Sequence, residues 1–130
     1  MIKIKIPHEL VDLNKFINSQ RANRYGGNKL KRQNTELCKV YFKKAINEGL
    51  KIDRDSMPIN ITFEWHVKNK RKDKDNIAFA KKFVLDGMVE SGLIPNDGWK
   101  EVGDLTDTFQ VNKNKQGVIV YIETVKEVAE

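Results

Sequence analysis

The nine residues from Ile59 to Val67 constrain the fold more than any other stretch. Ile59, Ile61, Phe63, Trp65 and Val67 alternate with Asn60, Thr62, Glu64 and His66, a period of two that an extended strand places on opposite faces. One face of such a strand must be buried, and its backbone needs partner strands. The rest of the chain must therefore supply both a sheet and a covering layer. Phe63 and Trp65 are expected to anchor the core.

The flanking segments supply them. Ile2, Ile4 and Ile6 alternate with Lys3 and Lys5, which predicts a strand stopped by Pro7. Leu10, Leu13, Phe16 and Ile17 recur at helical spacing, so a short helix is expected over about residues 9–20. The polar run SQRANRYGGNKLKRQ, punctuated by Gly26 and Gly27, reads as a basic loop. Leu37, Val40, Tyr41, Lys44 and Ala45 set a mostly apolar stripe on a second helix over about 35–47, with Gly49 placed to end it. Residues 51–58 connect it to the central strand.

A third helix is expected from Asp75 or Asn76, either of which can cap it. Ile77, Ala80, Phe83, Val84, Gly87 and Met88 form its packing face, Gly92 ends it, and Pro95-Asn96-Asp97-Gly98 is turn chemistry. Residues 99–111 predict a strand with polar interruptions. Residues 112–117 predict a hairpin loop, and residues 118–125 a last strand. The order gives one α+β (mixed α/β) domain over residues 1–130, a mixed β-sheet packed with about three helices.

Charge narrows the partners. The 130 residues carry a formal net charge of +6, which favours nucleic acid or another polyanion. A hydrophobic fraction of 39% with regular periodicity argues against disorder. The single cysteine, Cys38, cannot close an intramolecular disulfide and reads as a small core residue. The N-terminal MIKIKIPHEL has no apolar signal region, and no apolar run approaches the roughly 20 residues that span a bilayer. A cytoplasmic protein with no membrane association is expected.

The chemistry concentrates between Lys68 and Trp99. Asp73 and Asp75 stand two apart after the central strand, so in extended backbone both carboxylates can face one cation. Mg²⁺, or Mn²⁺, prefers such hard oxygen ligands and commonly combines one or two carboxylates with water and substrate phosphate. Asp97 is placed to close the set after the chain returns. On a continuous helix Lys82 and Asp86 fall within roughly 20° either side of Asp75. There Lys82 can stabilise charge developing on a phosphate; the plainer reading of the pair is a surface i,i+4 ion pair. Lys68, Lys70, Arg71, Lys72 and Lys74 bracket the aspartates. They suit closely spaced phosphates, as Arg21, Arg24, Lys29, Lys31 and Arg32 do further upstream. Solvated surface is the alternative for both runs; Glu64 and His66 are within reach of the site but fit a solvated sheet face, and Asp104 and Asp107 are expected as surface residues.

KRKDKDN followed by AKKFVLDGMVESGLIPND resembles the RusA-type Holliday-junction resolvases, many of them phage- or prophage-borne. The family pattern is a basic run, D-x-D-N, a helix with lysine four before aspartate, a glycine and a closing aspartate. Here these are Arg71-Lys72, Asp73-Lys74-Asp75-Asn76, Lys82, Asp86, Gly92 and Asp97. The gap from Asp75 to Lys82 is three residues longer than in that pattern, where Phe79 would take the lysine's place. On one helix this moves Lys82 about 4.5 Å along the axis while keeping its face.

The resemblance implies a homodimeric endodeoxyribonuclease that cuts four-way DNA junctions with Mg²⁺ or Mn²⁺ in recombination and repair, in a bacterial host cell. It implies Asp73, Asp75 and Asp97 as catalytic metal-binding carboxylates, Lys82 as the catalytic lysine, and Arg71 and Lys72 as DNA contacts. Lys70, Lys74, Arg21 and Arg24 extend the expected DNA-binding set, with Asp86 and Asn76 as secondary candidates. Two other functions fit the same residues: a non-catalytic branched-DNA-binding recombination accessory protein, and a Mg²⁺-dependent nuclease acting on flaps or other branched DNA.

Overall fold

A computed structural model describes residues 1–124; Val125, expected to finish the last strand, lies outside the described residues. Strand β1 spans Ile2–Ile6, helix α1 Leu13–Ala22, α2 Arg24–Asn47 and β2 Ile59–Val67. The one-turn helix α3 spans Lys74–Ala78, α4 Lys81–Glu90, β3 Val102–Val111 and β4 Gly117–Glu123. The strands form one mixed sheet in the order β1-β4-β2-β3. Strand β2 is antiparallel to β4 and parallel to β3, and β1 is antiparallel to β4.

The alternation read in β2 holds residue for residue. Ile59, Ile61, Phe63 and Trp65 are buried, and together with Ile4, Ile6, Val118, Val120 and Ile122 they form the inner face of the sheet. Helices cover this face alone: Cys38 and Phe42 from α2, and Phe83, Val84 and Met88 from α4, complete the core. Burying each phenylalanine contributes about 1.5–3 kcal/mol. The Phe16 ring sits 5.5 Å from Phe79 and 6.1 Å from Phe83, which joins α1 to the α3–α4 junction.

Several expectations change. The glycine-punctuated basic run is helical, and α2 starts at Arg24 rather than near Thr35. A Cβ on Gly27 would stand 2.2 Å from Gln20 Cγ, and one on Gly26 2.8 Å from Ser19 Oγ. These glycines let α1 and α2 approach each other; they do not loosen the chain. The packing face of α2 is also rotated from the predicted stripe, with Thr35, Cys38 and Phe42 buried while Val40 is 52% exposed.

The third predicted helix is two helices. Ala80, Lys82 and Phe83 donate their N–H groups to carbonyls three residues back, on Ile77, Phe79 and Ala80. This tight turn breaks the four-residue ladder and separates α3 from α4. The first helix residue is Lys74, with Asp73 in the cap position rather than Asp75 or Asn76. Finally, residues 112–116 do not close a hairpin. Strands β3 and β4 both pair with β2 and lie on either side of it, so this loop passes over the end of β2.

Candidate nucleic-acid interface

The expected site lies where β2 ends and α3 begins. The Asp73 carboxylate makes no capping hydrogen bond, and both Asp73 and Asp75 are exposed. Asp75 accepts the backbone N–H of Asn76 at 3.0 Å. Among the described residues neither carboxylate is held in an ion pair. Lys68, Lys70, Arg71 and Lys74 are exposed around them, and the Lys74 ammonium stands 5.5 Å from the centre of the Phe109 ring. Two free carboxylates thus sit among four cations on an open surface.

Lys72, expected to contact DNA, is held by two acidic side chains of its own chain. Its ammonium donates to Asp12 at 2.8 Å and to Glu9 at 2.9 Å. Asp12 is buried and caps α1 by accepting the Lys15 N–H at 2.8 Å. Burial alone would raise the Asp12 carboxyl. The hydrogen bonds from Lys72 and the Lys15 N–H, with the charges of both lysines, outweigh it and lower the pKa. The hydrogen bond to Asp12 in turn raises Lys72, against a smaller opposing effect of burial and with help from Glu9. The interaction ties the basic loop to the start of α1. Its sequence signal is partial: Asp12 stands three before Lys15, a capping position, but nothing marks Lys72 among its basic neighbours.

Asn76, a secondary candidate, is buried and structural. It accepts the backbone N–H of Asn14 through Oδ1 at 2.9 Å. A cleft of about 200 Å³ opens beside it, lined by Glu9, Asp12, Trp65, Lys68 and Lys72 among others. Neither Asp73 nor Asp75 lines this cleft. Their outward position suits a polymer laid across the surface better than an enclosed small molecule.

The lysine expected at the chemistry is not the engaged one. Lys82 is exposed, and the break at Phe79–Ala80 ends the continuous helix on which it was expected to align with Asp75. Its neighbour Lys81 reaches the edge strand and ion-pairs with Asp107. Asp107 also accepts the Trp65 indole N–H at 2.9 Å. Asp107, expected as plain surface, is half-buried; 26 positions separate it from Lys81 in sequence, so no local pattern announces the pair. Asp86 is half-buried on α4. Arg21 and Arg24 are exposed where α1 meets α2.

Asp97 is far from the paired aspartates. It shares a shallow depression with Trp99, Val102 and Gly103 at the start of β3. Lys74, flanked by Asp73 and Asp75, reaches Phe109 near the strand's other end. Six residues of extended chain from Gly103 to Phe109 measure roughly 20 Å. Accordingly, no three His, Cys, Asp or Glu side chains among the described residues gather in a metal-holding group. Asp73 and Asp75 match the one or two carboxylates that Mg²⁺ ordinarily takes from a protein; Asp97 does not join them within one chain.

On the outer face of the sheet Glu64 is the hub of a polar network. It pairs with His66 at 2.9 Å, takes a hydrogen bond from Gln110 at 2.9 Å and one from the Tyr121 hydroxyl at 3.3 Å. Partial burial, then the charge and hydrogen bonding of Glu64, hold the Tyr121 phenol above its ordinary value. Cys38 is buried, and burial pushes its thiol up to about 12, which leaves it unreactive at neutral pH.

No family model, curated protein or solved structure matches the chain.

Proposed function

We propose that the protein is a metal-dependent endodeoxyribonuclease acting on branched DNA, with four-way junctions as its substrate. One observation carries this reading. The chain pairs Lys72 with Asp12 and Glu9 yet leaves Asp73 and Asp75 unpaired among exposed Lys68, Lys70, Arg71 and Lys74. For a pure DNA-binding surface two free carboxylates among the cations weaken affinity, since each repels phosphate. For a nuclease they are ligands for the divalent cation that phosphodiester hydrolysis uses.

Mg²⁺, or Mn²⁺, is the proposed cofactor, with Asp73 and Asp75 as its ligands from this loop. Bound there, it would neutralise charge on the phosphate. The surrounding cations position the substrate: Lys70, Arg71 and Lys74 are proposed to hold backbone phosphates and carry no sequence information. The resemblance in residues 71–97 supplies the junction preference and the homodimer. Among the described residues no helix is long and apolar enough to cross a membrane.

The test is cleavage of a labelled synthetic four-way junction beside a matching linear duplex, in Mg²⁺, Mn²⁺ or EDTA, with Asp75→Asn as control. Paired nicks in the junction that need metal and vanish in the variant are expected. Tight binding without cuts in any metal would leave a junction-binding accessory protein instead. Cutting of flaps in place of junctions would change the substrate and keep the chemistry.

A further inference from the structure

A second cleft, of about 480 Å³, opens at the end of the sheet where the chain leaves β1, a volume within the range of small-molecule sites. Its floor is residues 117–119 of β4 with the His66 ring of β2, and its walls are residues 5–9 and residues 112–116. Lys5, Ile119 and His66 alternate with buried neighbours on their strands, so all three face away from the helices. Both walls are fixed. A Cβ on Gly117 would stand 3.1 Å from the His8 nitrogen and closer still to the Ile6 carbonyl oxygen, so the departing chain packs directly onto the floor. On the other side Asn112 Oδ1 accepts the N–H groups of Asn114 and Lys115 at 3.3 and 3.2 Å. Gln116 donates to the Asn112 and Lys113 carbonyls at 3.1 and 3.0 Å. A cleft held in shape this way needs little ordering when it binds.

The groups around it share one character. Lys5 and Lys115 stand on opposite walls, and neither is ion-paired with a described residue. The acid on the lining, Glu9, is already held by Lys72 at 2.9 Å. The cleft therefore attracts an anion. His66 adds a directional group. Ionised Glu64 only accepts, so the 2.9 Å bond between them places the proton on Nε2 and leaves Nδ1 of the neutral ring as an acceptor. Among the described residues nothing donates to Nδ1, and it is not sealed from solvent. Lys5 pairs with Ile119 and Ile119 with Glu64, two residues before His66. Two strand spacings and two residues set the Lys5 and His66 Cα atoms roughly 12 Å apart. Side chains stand roughly perpendicular to a sheet, so a bare phosphate does not reach both, whereas a phosphate, sugar and base in line do.

We propose that this cleft binds a nucleoside monophosphate whose base carries an exocyclic amine, with adenine as the simplest case. The phosphate lies between Lys5 and Lys115, the base covers Ile119, and the amine donates to His66 Nδ1. A phosphate at the end of a DNA strand presents the same chemistry as a free nucleotide. Neither Asp73 nor Asp75 lines the cleft, and the assignment does not rest on the nuclease reading.

The test is titration of ¹⁵N-labelled protein with adenosine 5′-monophosphate, followed by amide shifts. Saturable shifts are expected at His8 and at residues 114–119, with none at Asp73 or Asp75. Adenosine alone and inorganic phosphate alone should each bind at least about tenfold more weakly. Lys5→Gln and Lys115→Gln should each weaken binding by about tenfold, the loss of one charge-assisted hydrogen bond. Inosine 5′-monophosphate, with a carbonyl in place of the amine, should bind less tightly than the adenosine compound, and His66→Phe should lose that preference. Ile119→Trp fills the floor from the outer face and should abolish binding with unchanged circular dichroism, which separates a blocked cleft from a lost fold. A 5′-phosphorylated dinucleotide that binds as tightly, while its unphosphorylated form does not, makes a strand end the source; binding of the mononucleotide alone makes it the free nucleotide. No saturable shift at millimolar nucleotide, shifts confined to the basic loop, or phosphate binding as tightly as the nucleotide overturns the assignment.

Discussion

The Lys81 ammonium is paired with the Asp107 carboxylate, so the first residue of α4 is fastened to the outermost strand of the sheet. Asp107 holds the Trp65 indole by the same group. Removing the carboxylate would leave a partly buried cation and an N–H without partners. Asp107→Ala is therefore expected to destabilise the fold by about 2 kcal/mol. Lys82→Ala, on an exposed side chain, should change stability by less than about 0.5 kcal/mol. Urea unfolding followed by tryptophan fluorescence measures both. Equal losses for the two variants would remove the distinction drawn between adjacent lysines.

Gly87 sits in the middle of α4, where alanine ordinarily gains about 1 kcal/mol over glycine in helix propensity. Here a Cβ would stand 2.7 Å from Cys38 Cβ, 2.9 Å from the Lys39 backbone nitrogen and 3.1 Å from the Thr35 carbonyl. Backbone cannot turn aside as a side-chain tip can, so α2 and α4 would have to separate. Overpacking of this kind costs about 1–3 kcal/mol, which exceeds the propensity gain. Gly87→Ala is expected to lower the urea midpoint; a raised midpoint would mean that the helices tolerate the wider spacing.

How much of the fold is legible in the sequence depends on whether the signal is local. Strand β2 is legible, because five alternating apolar residues leave no other arrangement for an exposed chain. So are the ends of α2 and α4, where Gly49 and Gly92 take φ values of 109° and 87°. The start of α2 is hidden because Gly26 and Gly27 serve a helix crossing, and a sequence cannot distinguish that role from a turn. The inward course of Lys72 is hidden among similar neighbours, with its partner Glu9 63 positions away. The candidate site is half legible. Asp73 and Asp75 are neighbours by spacing, but Asp75 stands in helix α3 and only Asp73 keeps the extended backbone expected of both; the position of Asp97 depends on β3 running parallel to β2, which periodicity does not encode.

The pH dependence of the Lys72–Asp12 pair follows from the two shifts. Asp12 is lowered from 3.8, so its contribution is complete above that value and disappears as pH falls through the lower folded value. Lys72 is raised from 10.5, so its contribution is complete below that value and is lost as pH rises through the higher folded one. Between about pH 5 and 9 the pair is insensitive to pH. The Lys72 side chain is 43% exposed, so solvent screening limits the pair to about 1 kcal/mol. The stability difference between wild type and Lys72→Met should stay constant across that window and shrink below pH 4. A difference that grows in acid would contradict the assignment.

DNA affinity should separate the basic loop into two groups. Arg71 and Lys74 are exposed and in no ion pair with a described residue, and removing one cation from a phosphate flattens the dependence of log K on log salt by about 0.9. Arg71→Ala and Lys74→Ala are each expected to weaken junction binding and to reduce that slope by roughly this amount, with thermal stability unchanged. Lys72→Ala should do the reverse, lowering stability while leaving the slope near wild type, because its charge is already committed to Asp12 and Glu9. Fluorescence anisotropy with a labelled junction over a series of salt concentrations reads the slope directly. If Lys72→Ala flattens it as much as Arg71→Ala, then Lys72 leaves Asp12 on binding, and the start of α1 must loosen whenever DNA is held.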